Sequence, residues 1–182
     1  MNKIMNEINR RGILPALGTP FSGGDCIEQS PRELAEFCEW LNNKNIDRYL
    51  EVGISSGGTF KFIAEWLNVN IACGIDIKLP RVAPIPCFLC ICDCRSEIAH
   101  NFVKSFGKFD LIFIDASHDY EGVKKDFEIY GGLGKIIAFH DICGLRDCEG
   151  SKKVWEEVKQ SREVIEFIDA GLPVGIGVIL NE

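Results

Sequence analysis

The chain has 182 residues, a formal net charge of −7 and an apolar fraction of 46 %, which suits one globular domain that buries about 70 % of its unfolded surface. The acidic balance and the lack of a Lys/Arg stripe exclude nucleic acid as a first choice of partner, and no apolar run approaches the ~20 residues that cross a bilayer, so no membrane segment is expected. Nine cysteines behind the opening MNKIMNEINRRG, which lacks the apolar stretch of an export signal, predict a cytoplasmic protein with reduced thiols.

Residues 1 to 29 carry Gly12, Pro15, Gly18, Pro20, Gly23 and Gly24, a spacing that predicts an irregular arm with one short helix over 2 to 9. Ser30, Pro31 and Glu33 then read as a capping box opening a helix. Leu34, Phe37, Cys38 and Leu41 give it one apolar stripe.

From residue 47 the pattern alternates. Strands are predicted at 48 to 53, 71 to 76, 86 to 91, 109 to 115 and 134 to 140, with helices at 57 to 68, 95 to 106, 119 to 130 and 151 to 160. This predicts an α/β protein with a Rossmann-like, doubly wound and mostly parallel sheet of about seven strands in a single domain, 1 to 182. The segments 163 to 169 and 175 to 180 are joined by Ala-Gly-Leu-Pro, too short for a parallel crossover, so the last strand runs antiparallel.

The turn after the first strand, Glu51-Val52-Gly53-Ile54-Ser55-Ser56-Gly57-Gly58, lets the backbone bend with positive φ and presents free N–H groups to a ligand. It is neither G-x-G-x-x-G nor a phosphate loop. The next two strands end at Asp76 and at Cys92-Asp93-Cys94. Strands ending in acids suit an uncharged or cationic nucleoside better than a pyrophosphate, and a carboxylate about twenty residues beyond the glycines can take both ribose hydroxyls.

Two further strands, DLIFI and KIIAFH, end in Asp115 with His118 and in His140 with Asp141. Ligands of open α/β sheets bind beyond the carboxyl ends of the strands, so these four groups are expected to converge on one site. Histidine titrates near ~6.5, which makes His118 the candidate base for a hydroxyl nucleophile.

On these residues the chain resembles the class I S-adenosylmethionine-dependent methyltransferases, in the small O-methyltransferase-like branch that includes metal-dependent sugar and catechol methylating enzymes. The resemblance spans about residues 25 to 182. Glu51, Gly53, Gly57 and Thr59 match E-x-G-x-x-x-G-x-[ST], and Ile114, Asp115, His118, Tyr120, Val123 and Asp126 match I-D-x-x-H-x-Y-x-x-V-x-x-D. It implies a cofactor side built from Glu51, Gly53, Ser55, Gly57, Asp76, Asp93 and Asp115. It also implies catalysis by His118 and Asp115, and Mg²⁺ on Asp115 and Asp141 with His140 beside them. The acceptor that the resemblance implies is a hydroxyl of a small molecule or glycan. Ile142 stands where catechol-type enzymes carry Asn, so a metal-free site in which the two acids cap helices or bind ligand stays open, as does a homo-oligomer. Rival readings are an accessory protein that binds the cofactor without methylating, and an NAD-type oxidoreductase.

Cys87, Cys90, Cys92 and Cys94 suggest a metal cluster, but alternate residues of a strand step by about 6 to 7 Å on one face and do not converge. They read as core, as do Trp40, Trp66 and Trp155. His100 reads as a solvated helix residue. Phe21 in the arm and Arg146 and Asp147 in the loop 142 to 150 are expected to wall the acceptor side, with Cys143 and Cys148 flanking that loop.

Overall fold

The computed structural model describes residues 1–12, 24–145 and 147–181. Seven strands form one sheet in the order β3-β2-β1-β4-β5-β7-β6, where β1 is Arg48–Val52, β2 Ile71–Asp76, β3 Phe88–Ile91, β4 Phe109–Ile114, β5 Gly134–His140, β6 Val164–Phe167 and β7 Ile176–Leu180. The first five are parallel, and β7 runs antiparallel to both β5 and β6. The doubly wound sheet and its reversed last strand match the alternation and short link read from the sequence.

Because successive strand residues face opposite ways, each central strand supplies two cores. Leu111 and Phe113 of β4 pack with helices α1 (Asn2–Arg11), α2 (Pro31–Leu41) and α3 (Gly58–Leu67) on one face. Ile112 and Ile114 pack with α4 (Glu97–Ser105), α5 (Tyr120–Tyr130) and α6 (Glu149–Val158) on the other. Burial on both faces is why β4 reads as an unbroken apolar run. Trp155 is fully buried and donates to Glu166 at 2.6 Å, whereas Trp40 and Trp66 are only partly covered.

Two local expectations change. The N-terminal helix is longer than read and belongs to the core, since Ile4 and Ile8 are fully buried in it. The capping box does not form: Ser30 makes no side-chain cap to α2, and Glu33, fully buried, instead accepts from the backbone N–H groups of Asp169 at 2.8 Å and Gly175 at 2.9 Å. A tertiary demand for an acceptor outcompetes the local cap, and α2 is thereby tied to the β6–β7 link.

The cysteine run stays in or against the core, but its sulfurs are closer than strand steps allow. Cys90 and Cys92 Sγ are 3.3 Å apart because β3 ends at Ile91 and the chain turns there. Cys94 points to a different partner, Asp126, at 3.3 Å. The arm residues 13 to 23, with Phe21, and Arg146 lie outside the described residues.

Candidate functional site

Strand order reverses between β1 and β4, the place where a crevice opens beyond the carboxyl ends of a doubly wound sheet. A cavity of about 620 Å³ lies there. It is walled by the turn after β1, the ends of β2, β4 and β5, the segment 93–95, the segment 26–29 before α2 and the β6–β7 link.

On one side lie Glu51, Gly53, Ser55, Asp76 and Asp93, all lining the cavity as the sequence predicts. Gly57 is outside that lining; it is the left-handed N-cap of α3 and packs against Val82. Asp76 accepts from the Ser55 N–H at 2.8 Å, locking the turn to the end of β2. Asp93 is exposed and accepts from the Arg95 N–H at 2.9 Å. Asp126, fully buried, holds this corner from behind through Cys94 and, at 3.7 Å, Arg95. That explains Asp126, the seventh residue of α5, without placing it at the cavity.

Glu51 is 1 % exposed and accepts from the Tyr49 hydroxyl. Burial drives its pKa well above the ordinary carboxyl value, only partly countered by the Tyr49 hydrogen bond. A cationic group beside it would restore the ionised form.

The other side follows from strand register. Ile114 pairs with Phe139, so the next residues, Asp115 and His140, are neighbours, with Asp115 Oδ1 3.2 Å from His140 Nδ1. Asp141 sits in left-handed backbone at φ 59°, a strained conformation for a non-glycine residue, and its Oδ2 lies 3.3 Å from His140 Nδ1 and 3.1 Å from His118 Nδ1. The four predicted groups do converge. His118 does not cap α5, because Asp119 does so by accepting from the Gly122 N–H at 2.9 Å.

Their charges are interlocked. The hydrogen bond to Asp141 raises the His118 pKa against a smaller effect of burial. Burial pulls the His140 pKa down, but Asp115 and Asp141 together carry it well above the ordinary value. The Asp141 carboxyl, though buried, is held far below the usual range by both imidazoles.

Several lining residues escape sequence reasoning. Gln29, 3 % exposed, donates to Asp115 Oδ2 at 3.0 Å while its Oε1 is buried without a partner. Glu28 accepts from the Ser55 and Ser56 hydroxyls at 2.9 and 2.8 Å. Leu172 and Val174 on the β6–β7 link are further unforeseen wall residues, whereas Leu145 and Cys148 come from the loop 142 to 150 expected there. The arm therefore does reach the crevice, through 26 to 29. Neither Cys143 nor Asp147, the latter expected on the acceptor wall, is part of the lining.

A hard divalent cation fits the Asp115–Asp141 corner. The ligand atoms of Asp115, His140 and Asp141 lie within 4.8 Å of one another, two of them hard carboxylate oxygens. A nucleoside fits the opposite half, where Asp76 and Asp93 meet the turn after β1; the Gly53, Ser55 and Gly57 N–H groups expected to be free there are instead taken by Ile75, Asp76 and Ile54.

No protein-family model and no curated protein matches the sequence. Solved structures do match the fold. MycE methyltransferase from the mycinamycin biosynthetic pathway, in complex with Mg, SAH and mycinamycin VI, superposes with a TM-score of 0.67 at 15 % identity over 98 % of this chain and 53 % of its own. The O-methyltransferase from Bacillus cereus in complex with SAH gives 0.58 at 14 % identity over 100 % of this chain and 92 % of its own. The O-methyltransferase TomG from Streptomyces achromogenes, in complex with SAM, gives 0.56 at 11 % identity over 85 % of this chain and 81 % of its own. The chain has the fold of the S-adenosylmethionine-dependent O-methyltransferases. It spans about half the length of MycE.

Proposed function

We propose that the protein is an S-adenosylmethionine-dependent methyltransferase that methylates a hydroxyl of a small molecule or glycan. The observation that carries this reading is the division of one cavity into two chemically different halves: Glu51, Ser55, Asp76 and Asp93 opposite Asp115, His118, His140 and Asp141. The fold shared with the S-adenosylmethionine and S-adenosylhomocysteine complexes supports it.

The bound cofactor supplies a sulfonium methyl group; the protein's own part is to bind, orient and exclude water. Glu51 faces the ammonium end, which offsets the desolvation of its carboxylate. Asp76 accepts from ribose hydroxyls and Asp93 lies on the adenine side, with the Gly53–Ser55 backbone between. An acidic wall also favours a cationic nucleoside over a dinucleotide.

At the other half, His118 takes the acceptor hydroxyl's proton on a ring nitrogen, and Asp141 steadies the imidazolium that results. Asp115 and Asp141 are the residues that would hold Mg²⁺, which when bound lowers the hydroxyl pKa. His140 lies between the same two carboxylates and orients them. Gln29 anchors Asp115 from the opposite side.

Among the described residues no helix is long and apolar enough to cross a membrane. With nine unpaired cysteines, the protein is assigned to the reducing cytosol.

Calorimetric titration with S-adenosylhomocysteine and with NAD⁺ tests the cofactor half, and transfer of label from S-adenosylmethionine to a panel of sugar, catechol and phenol acceptors tests the chemistry. Binding of the homologue but not of NAD⁺, with label appearing on a hydroxyl, is the expected outcome. Failure to bind S-adenosylhomocysteine overturns it.

A further inference from the structure

Cys148 stands at the N-cap position of α6 without a side-chain cap bond and sets its Sγ 3.5 Å from His118 Nδ1. The same nitrogen is 3.1 Å from Asp141 Oδ2. The three ligand atoms all lie within 4.8 Å of one another. A thiolate and an imidazole bound to one tetrahedral ion at ~2.3 and ~2.0 Å are about 3.5 Å apart, and an imidazole and a carboxylate about 3.3 Å. The spacings seen here match both edges.

His118 Nδ1 and the Cys148 thiol both hydrogen-bond to Asp141, which gathers the three donor atoms around one carboxylate. Cys148 is not set by a loose loop. The first turn of α6 lies against the His118–Tyr120 turn so closely that a Cβ on Gly150 would be 2.4 Å from the His118 carbonyl oxygen and 2.2 Å from the Tyr120 nitrogen.

We propose that His118, Asp141 and Cys148 form a binding site for a borderline metal ion of the Zn²⁺ class, distinct from the oxygen-rich Asp115–Asp141 corner and sharing only Asp141 with it. Thiolate and imidazole donors select such ions over Mg²⁺. Three protein ligands leave the fourth position to water or an acceptor oxygen, and His118, 46 % exposed, opens that position to the cavity. On binding, the thiol proton and the Nδ1 proton that His118 shares with Asp141 both leave for solvent, and no electron moves. With one carboxylate and one thiolate the loaded site is neutral. Binding itself does not depend on the methyl-transfer reading; only its consequence does, namely that an ion on His118 and Asp141 occupies the base and one acid, so that Zn²⁺ inhibits where Mg²⁺ supports turnover.

The test uses the full chain with Co²⁺ as the spectroscopic probe in excess Mg²⁺. One equivalent of Co²⁺ is expected to give a thiolate-to-cobalt charge-transfer band that Zn²⁺ abolishes and that is missing from both Cys148→Ser and Cys148→Ala. No band in the wild-type chain, or a band that survives in both variants, overturns the proposal. Wild-type protein gives a second readout that needs no variant: Zn²⁺ should slow alkylation of Cys148 about tenfold or more, mapped by mass spectrometry, and an unchanged rate counts against the site. Titration of the same samples with S-adenosylhomocysteine reports on the cofactor half separately, so either idea can fail alone.

Discussion

His140 Nδ1 lies 3.2 Å from Asp115 Oδ1, so the imidazole that closes β5 is joined to the carboxylate beyond β4 across the edge of the sheet where the cavity opens. Asp141, 3.3 Å from the same nitrogen, makes this a buried imidazolium between two acids. Removing one member of such a set leaves uncompensated buried charge.

His140→Gln is therefore expected to lower stability by about 3 kcal/mol at pH 6. The sign follows from the raised folded-state pKa: the stabilisation is complete below the unfolded value of ~6.5 and fades as pH rises through the higher folded value. Urea unfolding at a series of pH values checks it. A deficit that grows toward alkaline pH contradicts the charge assignment.

His118 is held above its ordinary pKa chiefly by its hydrogen bond to Asp141, so its free-base form appears only at correspondingly higher pH. The kcat/KM profile is expected to rise with pH to an inflection above ~6.5, and Asp141→Asn to move that inflection down toward ~6.5. His118→Ala should reduce kcat by roughly 10²- to 10⁴-fold with cofactor affinity retained. Labelled-methyl assays across pH, paired with calorimetry, separate the two effects; an unaltered kcat removes His118 from the base role.

Much of this architecture is legible in the sequence because its cause is local. Leu111 to Ile114 read as a central strand since both faces of β4 are buried, and Asp115, His118, His140 and Asp141 read as a site since strand ends converge by topology. Gln29 is not legible: it meets Asp115 across 86 positions, and nothing in Glu28-Gln29-Ser30 marks the pair as wall residues. Ser30 and Glu33 show the converse failure. Their letters spell a cap, but Glu33 is used by Asp169 and Gly175, more than 130 positions away. Cys148 likewise gains meaning only through the seating of α6 against the His118 turn.

Gln29 supplies a test of that long-range wall. Gln29→Leu keeps the volume, removes the donor to Asp115 and removes the unpartnered buried oxygen. Losing a hydrogen bond to a charged group is worth about 1.5 to 3 kcal/mol, so turnover should fall roughly 10- to 100-fold, while affinity for S-adenosylhomocysteine, bound at the other half, stays within about threefold. Unimpaired turnover would detach Gln29 from the orientation of Asp115.

Glu33 makes a prediction for the acceptor wall. Glu33→Ala strands two backbone N–H groups, that of Gly175 buried and that of Asp169 part-buried, and a fully buried unsatisfied donor costs about 1 to 3 kcal/mol. Stability is expected to fall by about 2 to 4 kcal/mol, with faster hydrogen exchange at the Gly175 amide. Leu172 and Val174 line the cavity on the same link, so KM for the acceptor should rise more than the affinity for S-adenosylhomocysteine falls. Equal effects on both halves would contradict the assignment of this wall to the acceptor.

Gly53 joins the two halves physically. Its φ is 89°, and a Cβ there would lie 2.4 Å from both the Asp115 carbonyl oxygen and the Ala116 Cα, far inside van der Waals contact and with backbone that cannot swing aside. Gly53→Ala must therefore strain its own turn and push the 115–116 segment, which carries Asp115 toward its partners Gln29 and His140. Backbone strain of this kind costs of order 1 to 3 kcal/mol. Cofactor affinity and turnover are expected to fall together, in contrast with Gln29→Leu, which spares binding. Calorimetry and labelled-methyl transfer on the two variants side by side distinguish a residue that links the halves from one that acts on the acceptor side alone.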